Sequence, residues 1–212
     1  MAGAALLHTP VLARKLTIVA LGDSTTAGTP FYRSPLEAPP DGVGDADAFY
    51  GTWIMKREPE WTVLDYGISA QRSDEIRDRL NKALKPHPQY VIVLAGVNDI
   101  CQWDDPQLTA QNLAGMYREI QLEGAVPVAA TILPFDTAAP KQTAQIRQLN
   151  AWIRETAKRL RIPIVDFNKA VVDPAQPDRL NGTPDGLHPD MGTYRQMGLA
   201  ALRVLRDFEH GQ

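Results

Sequence analysis

Five short apolar runs, four of them tied to longer amphipathic stretches, leave this chain very few folds. The runs cover residues 16–21, 62–66, 90–95, 126–133 and 162–167. Each is near-continuous and rich in Val, Ile and Leu, as strands buried on both faces are. The amphipathic stretches carry stripes spaced three and four residues apart, the period of a helix with one buried face. They are Ile76, Leu80, Ala83, Leu84; Leu113, Met116, Tyr117, Ile120; Ile146, Leu149, Ile153, Ala157, Leu160; and Tyr194, Met197, Ala201, Leu205, Phe208. Strands alternating with helices of this length predict a parallel sheet. Right-handed crossovers then put helices on both faces, a doubly wound three-layer α/β/α sandwich. Local signals agree. Asp105-Pro106 reads as a cap and first turn, Gly124 as a stop, Ser73 as the cap of a helix over 74–84, and Pro189 as the first position of the last helix.

The length of 212 residues predicts a single domain over 1–212. Residues 30–52 interrupt the rhythm with Pro30, Pro35, Pro39, Pro40, Gly42, Gly44 and Gly51, too many for an ordinary connection. This segment reads as an insertion, with a helix starting within 47–56. A net charge of −3 supplies no basic field for a nucleic-acid partner. The single cysteine excludes an intrachain disulfide and a multi-cysteine zinc site. No apolar run approaches the roughly 20 residues of a membrane span. At the N-terminus, Ala4-Ala5-Leu6-Leu7 is followed, not preceded, by Arg14 and Lys15, the wrong order for a secretory signal. It reads as a short arm. The default compartment is then cytoplasmic, although a removed export signal would leave the same sequence.

In a parallel sheet, ligands bind outside the C-terminal ends of the strands. The first three runs end in Gly22-Asp23-Ser24, Gly67-Ile68-Ser69 and Gly96-Val97-Asn98-Asp99. Before the last helix stands Asp185-Gly186-Leu187-His188-Pro189. A hydroxyl, an imidazole with its own carboxylate and a row of N–H donors are the equipment of acyl transfer. Ser24 is the candidate nucleophile, His188 the base, and Asp185 the residue that fixes the imidazole. The Ser24 and Gly67 backbone N–H groups and the Asn98 amide are the candidate oxyanion donors. Any one of these motifs alone could be a turn or a cap; their combined order and placement favour chemistry.

On these residues the chain resembles the SGNH, or GDSL-type, esterase/lipase family. Ser24, Gly67, Asn98 and His188 match the four letters, over a span from Ile18 to about Phe208. The resemblance implies a flavodoxin-like five-stranded sheet of order 2-1-3-4-5. It also implies hydrolysis of carboxylic esters of short or medium acyl chains, with a small-molecule ester as partner and no cofactor. Carbohydrate O-acetyl esterase, thioesterase and lysophospholipase activities belong to the same superfamily. The rival from another class is a non-catalytic flavodoxin-like binding domain. Two positions depart from the pattern: Thr25 stands where the family name expects leucine, and Ala70 where a glycine often follows the second block.

Phe31, Trp103, Phe135 and Leu187 are the candidate pocket residues, with covering of the sheet rim as the alternative. Cys101 reads as a buried filler, and His8, His87 and His210 as surface residues. Asp23 and Asp99 flank catalytic positions, either supporting them or shaping turns. Asp41, Asp45 and Asp47 only faintly resemble a calcium loop, lacking its closing glutamate, so no metal is expected. No glycine-rich phosphate motif occurs.

Overall fold

The computed structural model describes residues 14–211. The apolar patch at 4–7 and His8 lie outside them.

Five strands form one parallel sheet: β1 (Leu16–Gly22), β2 (Trp61–Gly67), β3 (Tyr90–Leu94), β4 (Val126–Ala130) and β5 (Ile164–Val165). Their order across the sheet is β2-β1-β3-β4-β5. All five side chains of β3, in the middle, are buried, which is why its sequence is an unbroken Tyr-Val-Ile-Val-Leu. Strand β2 lies at the edge and alternates, with Trp61, Val63, Asp65 and Gly67 buried and Thr62, Leu64 and Tyr66 less so.

Two apolar runs give less strand than expected. The fourth leaves the ladder at Ala130, because Asn150 takes over the next peptide groups: its side chain accepts from Ile132 N (2.8 Å) and donates to Ile132 O (2.9 Å). The fifth keeps only two strand residues. Asp166 accepts from Lys169 N and starts a helix at Phe167.

Nine helices lie among the described residues: α1 (Ser24–Ala27), α2 (Tyr50–Met55), α3 (Ser73–Asp78), α4 (Leu80–Leu84), α5 (Val97–Cys101), α6 (Pro106–Leu122), α7 (Pro140–Leu160), α8 (Phe167–Val171) and α9 (Met191–His210). Helices α2, α8 and α9 pack together, as do α3, α5, α6 and α7, so the sheet is flanked by helices in an α/β/α sandwich. Asp105 caps α6 by accepting from Gln107 N, and Gly124 lies just beyond it at φ 79°.

Three local expectations are corrected. The first amphipathic stripe is not one helix but α3 and α4, broken at Arg79 (φ −106°, ψ 9°) where that side chain turns inward. Ser73 is not a cap. Arg72 precedes the helix with its N–H donated to Glu75, and the Ser73 hydroxyl donates to Asp99 instead. Pro189 precedes the cap of α9 rather than opening the helix; Asp190 caps it by accepting from Thr193 N (2.7 Å).

Residues 30–52 are more ordered than their prolines suggest. A two-stranded ribbon pairs Tyr32–Arg33 with Val43–Gly44, a 3-10 turn covers Ala46–Ala48, and α2 begins at Tyr50. Ser34, Ala48, Phe49 and Tyr50 are buried, and the Tyr50 ring sits 5.2 Å from that of Phe167. Glycine at 198 lets α9 approach: a Cβ there would lie 2.4 Å from Tyr50 O. A second ribbon, Val172–Asp173 with Gln176–Leu180, was not anticipated. Among the described residues no helix is long and apolar enough to cross a membrane.

Asn150 gives the fold a direct test. Asn150→Leu strands the buried Ile132 N–H, while Ile132 O keeps Asn168 Nδ2 (3.2 Å), and should cost about 2 kcal/mol, within the roughly 1–3 kcal/mol of one stranded group. Urea unfolding measures this; a loss under about 1 kcal/mol would mean that the loop after β4 finds other partners.

Candidate active site

The turn that carries Ser24 is built by sterics and a cap. A Cβ on Gly22 would lie 2.1 Å from Thr26 Oγ1 and 2.5 Å from Leu94 O, so only glycine lets β1 pass into α1 here. Asp23 Oδ1 accepts from Thr25 N (2.9 Å) and opens α1 at Ser24. Gly28, at φ 92°, closes it by donating its N–H to Ser24 O (3.1 Å). Ser24 is 6% exposed, in a short helix whose four residues are all buried.

The imidazole comes from the turn before α9. Asp185 Oδ1 accepts the backbone N–H groups of Leu187 (2.9 Å) and His188 (2.8 Å). That leaves Oδ2 for the His188 ring, whose Nδ1 lies 2.7 Å away. Gly186, at φ 79°, permits the bend; its N–H donates to Thr183 Oγ1 (2.8 Å), and its carbonyl accepts from Asp136 N (2.7 Å). The other end of the imidazole, Nε2, lies 3.0 Å from Ser24 Oγ across 164 residues of chain.

Burial alone would raise the Asp185 carboxyl. The His188 ring and the two backbone N–H groups outweigh it and hold the group at about 2. An ionised Asp185 accepts only, which places the His188 proton on Nδ1 and leaves Nε2 to take the hydroxyl proton of Ser24. Such an arrangement can generate a nucleophilic oxygen without any further group.

The predicted oxyanion donors fare unequally. Asn98, on α5, donates one amide hydrogen to Gln71 O (2.9 Å) and has a second to offer. Gly67 is placed differently. Its N–H donates to Asp65 Oδ1 (2.8 Å), so it is engaged by a carboxylate two residues earlier. A Cβ there would lie 2.2 Å from Ala27 N, so glycine is required for α1 to seat on β2. Ala70 is exposed and holds a left-handed backbone (φ 64°), strained for any residue but glycine. It is the position flagged as a departure from the family pattern.

Under this surface lies a cluster that the sequence reading missed. Arg79, 7% exposed, donates to Gly22 O, Tyr66 O and Gln71 Oε1. Burial pushes its guanidinium down to about 10. Burial likewise raises Asp23 to about 7, with the Asp99 charge adding to the effect, and Asp65 to about 8. The one available signal was Asp65 itself, an aspartate inside an apolar strand. Arg79 lies off the apolar stripe of Ile76, Leu80, Ala83 and Leu84, so periodicity does not mark it as buried.

Of the candidate pocket residues, Trp103 is 54% exposed with a left-handed backbone (φ 66°), and Lys141 Nζ lies 5.9 Å from its ring centroid. Phe31 and Leu187 are half-buried against the core. Phe135 is buried in the core and offers no open face, because its loop folds back under Asp136 and Gly186. Cys101 is half-buried and its thiol is pushed up to about 11 by burial, which suits a filler and not a nucleophile. Asp99 ties elements together by accepting from Ser73 and Thr109. Ser69 Oγ meets Thr29 Oγ1 at 3.2 Å. Asp45 caps the 3-10 turn, Asp47 pairs with Lys56, and the Asp41 carbonyl accepts from Tyr32. Among the described residues no group of three His, Cys, Asp or Glu side chains could hold a metal ion. His87 and His210 are exposed.

A parallel α/β sandwich with a serine–imidazole–carboxylate relay at its strand ends defines a hydrolase class. The GDSL-like lipase/acylhydrolase family model matches residues 20–196, and the chain belongs to that family. No curated protein matches the sequence significantly. Among solved structures, a lipolytic-family G-D-S-L protein from Desulfitobacterium hafniense DCB-2 superposes with a TM-score of 0.74 at 21% identity, covering 89% of this chain and 99% of that one. A lipase/acylhydrolase from Enterococcus faecalis gives 0.73 at 23% identity, covering 91% and 96%. A catalytic mutant of an acetylxylan esterase from Geobacillus stearothermophilus gives 0.68 at 17% identity, covering 90% and 94%. At these identities the likeness establishes the fold.

The raised Asp65 carboxyl sets a pH dependence of stability. Above the ordinary value of 3.8 the unfolded chain releases a proton that the folded chain keeps up to about 8. Stability therefore falls as pH rises through that window and levels off above it. Asp65→Asn keeps an oxygen for the Gly67 N–H and removes the titration. Its melting temperature relative to the parent should climb by several degrees between pH 5 and pH 8. A constant difference across that range would show that Asp65 is ionised in the fold.

Proposed function

We propose that this chain is a serine esterase that hydrolyses carboxylic esters of short or medium acyl chains through an acyl-enzyme. The observation that carries the reading is the relay from Ser24 Oγ to His188 Nε2 (3.0 Å) and from His188 Nδ1 to Asp185 Oδ2 (2.7 Å). A binding domain has no use for such a relay.

In this reading His188 takes the Ser24 proton as Oγ attacks the ester carbonyl, and Asp185 stabilises the imidazolium that forms. The tetrahedral oxyanion is met by the Ser24 backbone N–H and the free hydrogen of the Asn98 amide. Gly67 N–H is held by Asp65, so Ala70 N–H, on the exposed part of the same loop, is the further backbone donor. His188 then protonates the leaving alkoxide, leaving the acyl group on Ser24. A water activated by the same imidazole releases the acid and restores the serine.

A second reading, a carbohydrate O-acetyl esterase, draws on Trp103. Its exposed ring lies on the loop just past α5, the helix that carries Asn98, and a flat aromatic face suits a sugar ring.

Ser24→Ala should abolish hydrolysis of p-nitrophenyl acetate with the melting temperature unchanged, and a fluorophosphonate should label Ser24 in the parent. Retained turnover in the variant, or an adduct on Ser69 or Cys101, would overturn the assignment. A chain-length series of p-nitrophenyl esters beside an acetylated xylo-oligosaccharide separates the two readings.

A further inference from the structure

The cluster around Arg79 is absorbed neither by the relay nor by the oxyanion donors, yet it touches the supports of both. The side chain enters from the break between α3 and α4. Its Nη2 donates to Gly22 O (2.7 Å), its Nη1 to Tyr66 O (2.8 Å) and its Nε to Gln71 Oε1 (2.5 Å). Gly22 and Tyr66 stand at the ends of the neighbouring strands β1 and β2. Gln71 uses its two oxygens for two partners: the side-chain oxygen takes Arg79, and the backbone oxygen takes Asn98 Nδ2 (2.9 Å).

We infer that Arg79 is a positioning residue for the ester hydrolysis proposed above, on which this inference rests: its guanidinium aims the Ser24 turn through Gly22 and, through Gln71, the Asn98 amide. The chemistry favours arginine for this. A buried carbonyl at the end of a parallel ladder has two lone pairs to satisfy: Gly22 O accepts from Ile68 N (3.1 Å) and takes Arg79 Nη2 (2.7 Å) as its second donor. A guanidinium is a rigid planar fork that can serve three acceptors in fixed directions; an ammonium is a single point on a flexible stem. Gly22 O lies one peptide group before the Asp23–Ser24 link, so holding it fixes the direction in which the chain leaves β1. Commitment of one Asn98 hydrogen to Gln71 O fixes the amide plane, and with it the line of the second hydrogen. A donor already aimed where charge develops needs no reorganisation during the reaction.

Arg79 reaches neither Ser24 nor His188 by any hydrogen bond among the described residues, so its effect must pass through these supports. The alternative is a purely structural clamp. The two are separated by the Gln71 leg, which can be cut while the two strand carbonyls keep their guanidinium and Asn98 keeps its backbone acceptor.

The test uses the full chain with p-nitrophenyl acetate and a fluorophosphonate. Gln71→Met should lower kcat about tenfold with KM within about twofold, the pattern of an interaction realised in the transition state. Fluorophosphonate labelling of Ser24 should slow in parallel, and the melting temperature should stay within about 2 °C of the parent, a shift that corresponds to less than about 1 kcal/mol. In an Asn98→Ala background the same substitution should have no further effect on kcat, because the group it aims is gone. Arg79→Lys should show the same loss in kcat or a larger one; if that variant fails to fold, the Gln71→Met cycle decides alone. Unchanged kcat in Gln71→Met, or a loss that multiplies independently with Asn98→Ala, would make Arg79 a structural clamp only. The absence of Ser24-dependent turnover and labelling in the unmodified chain would instead remove the hydrolase reading, and this inference with it.

Discussion

A guanidinium buried where two parallel strands run out carries much of this architecture. Taking a charge out of water costs several kcal/mol, which only well-made hydrogen bonds and nearby opposite charge can offset. Arg79 has both: three directed bonds, with Asp23, Asp65 and Glu37 close enough to act on it electrostatically. The compensation is incomplete on the acid side. Burial outweighs the attraction of Arg79 at Asp23 and Asp65, leaving the pair near 7 and 8.

The parallel sheet explains why distant parts of the chain meet there. All five strands send their C-terminal ends to one edge, and each connection must cross the sheet and return. Ser24 therefore follows the first strand and Asn98 the third, while the imidazole arrives 164 residues after Ser24, just before α9. Helix α9 ties the two ends together. Asp190 caps it and donates its N–H to Gly182 O, closing the turn that holds His188. From the same helix, the buried Tyr194 donates to Thr29 O (2.6 Å), just past α1.

The local chemistry of this chain was legible in its sequence; the long-range partners were not. Apolar runs and 3.6-residue stripes give strands and helices because burial has a period. Asp185 and His188 could be paired on paper because they share one turn. Arg79 could not, because its partners lie 8, 13 and 57 residues away and nothing local marks it. Gly67 shows the opposite failure. The glycine was noticed, but the reason for it is contact with Ala27 rather than a free N–H. The proline-rich 30–52 stretch misled in a third way, since Phe49 and Tyr50 bury as deeply as strand residues, their rings 5.6 Å apart and Tyr50 packed on Phe167 of α8.

Two carboxyls close in sequence to Ser24 and His188 show how surroundings set the charge of a group. Asp23 is next to the serine in sequence, yet its Oδ1 is committed to Thr25 N, and its Oδ2 is buried with no hydrogen-bond partner among the described residues. It holds its proton up to about 7. Asp185 is exposed, bonded by two backbone N–H groups and the imidazole, and stays ionised down to about 2. Only a group that remains charged across the neutral range can stabilise an imidazolium as it forms, and only one that accepts without donating can fix its tautomer. Geometry divides them the same way: Asp185 Oδ2 lies 2.7 Å from His188 Nδ1, while Asp23 Oδ1 holds Thr25 N at 2.9 Å and stays with the turn.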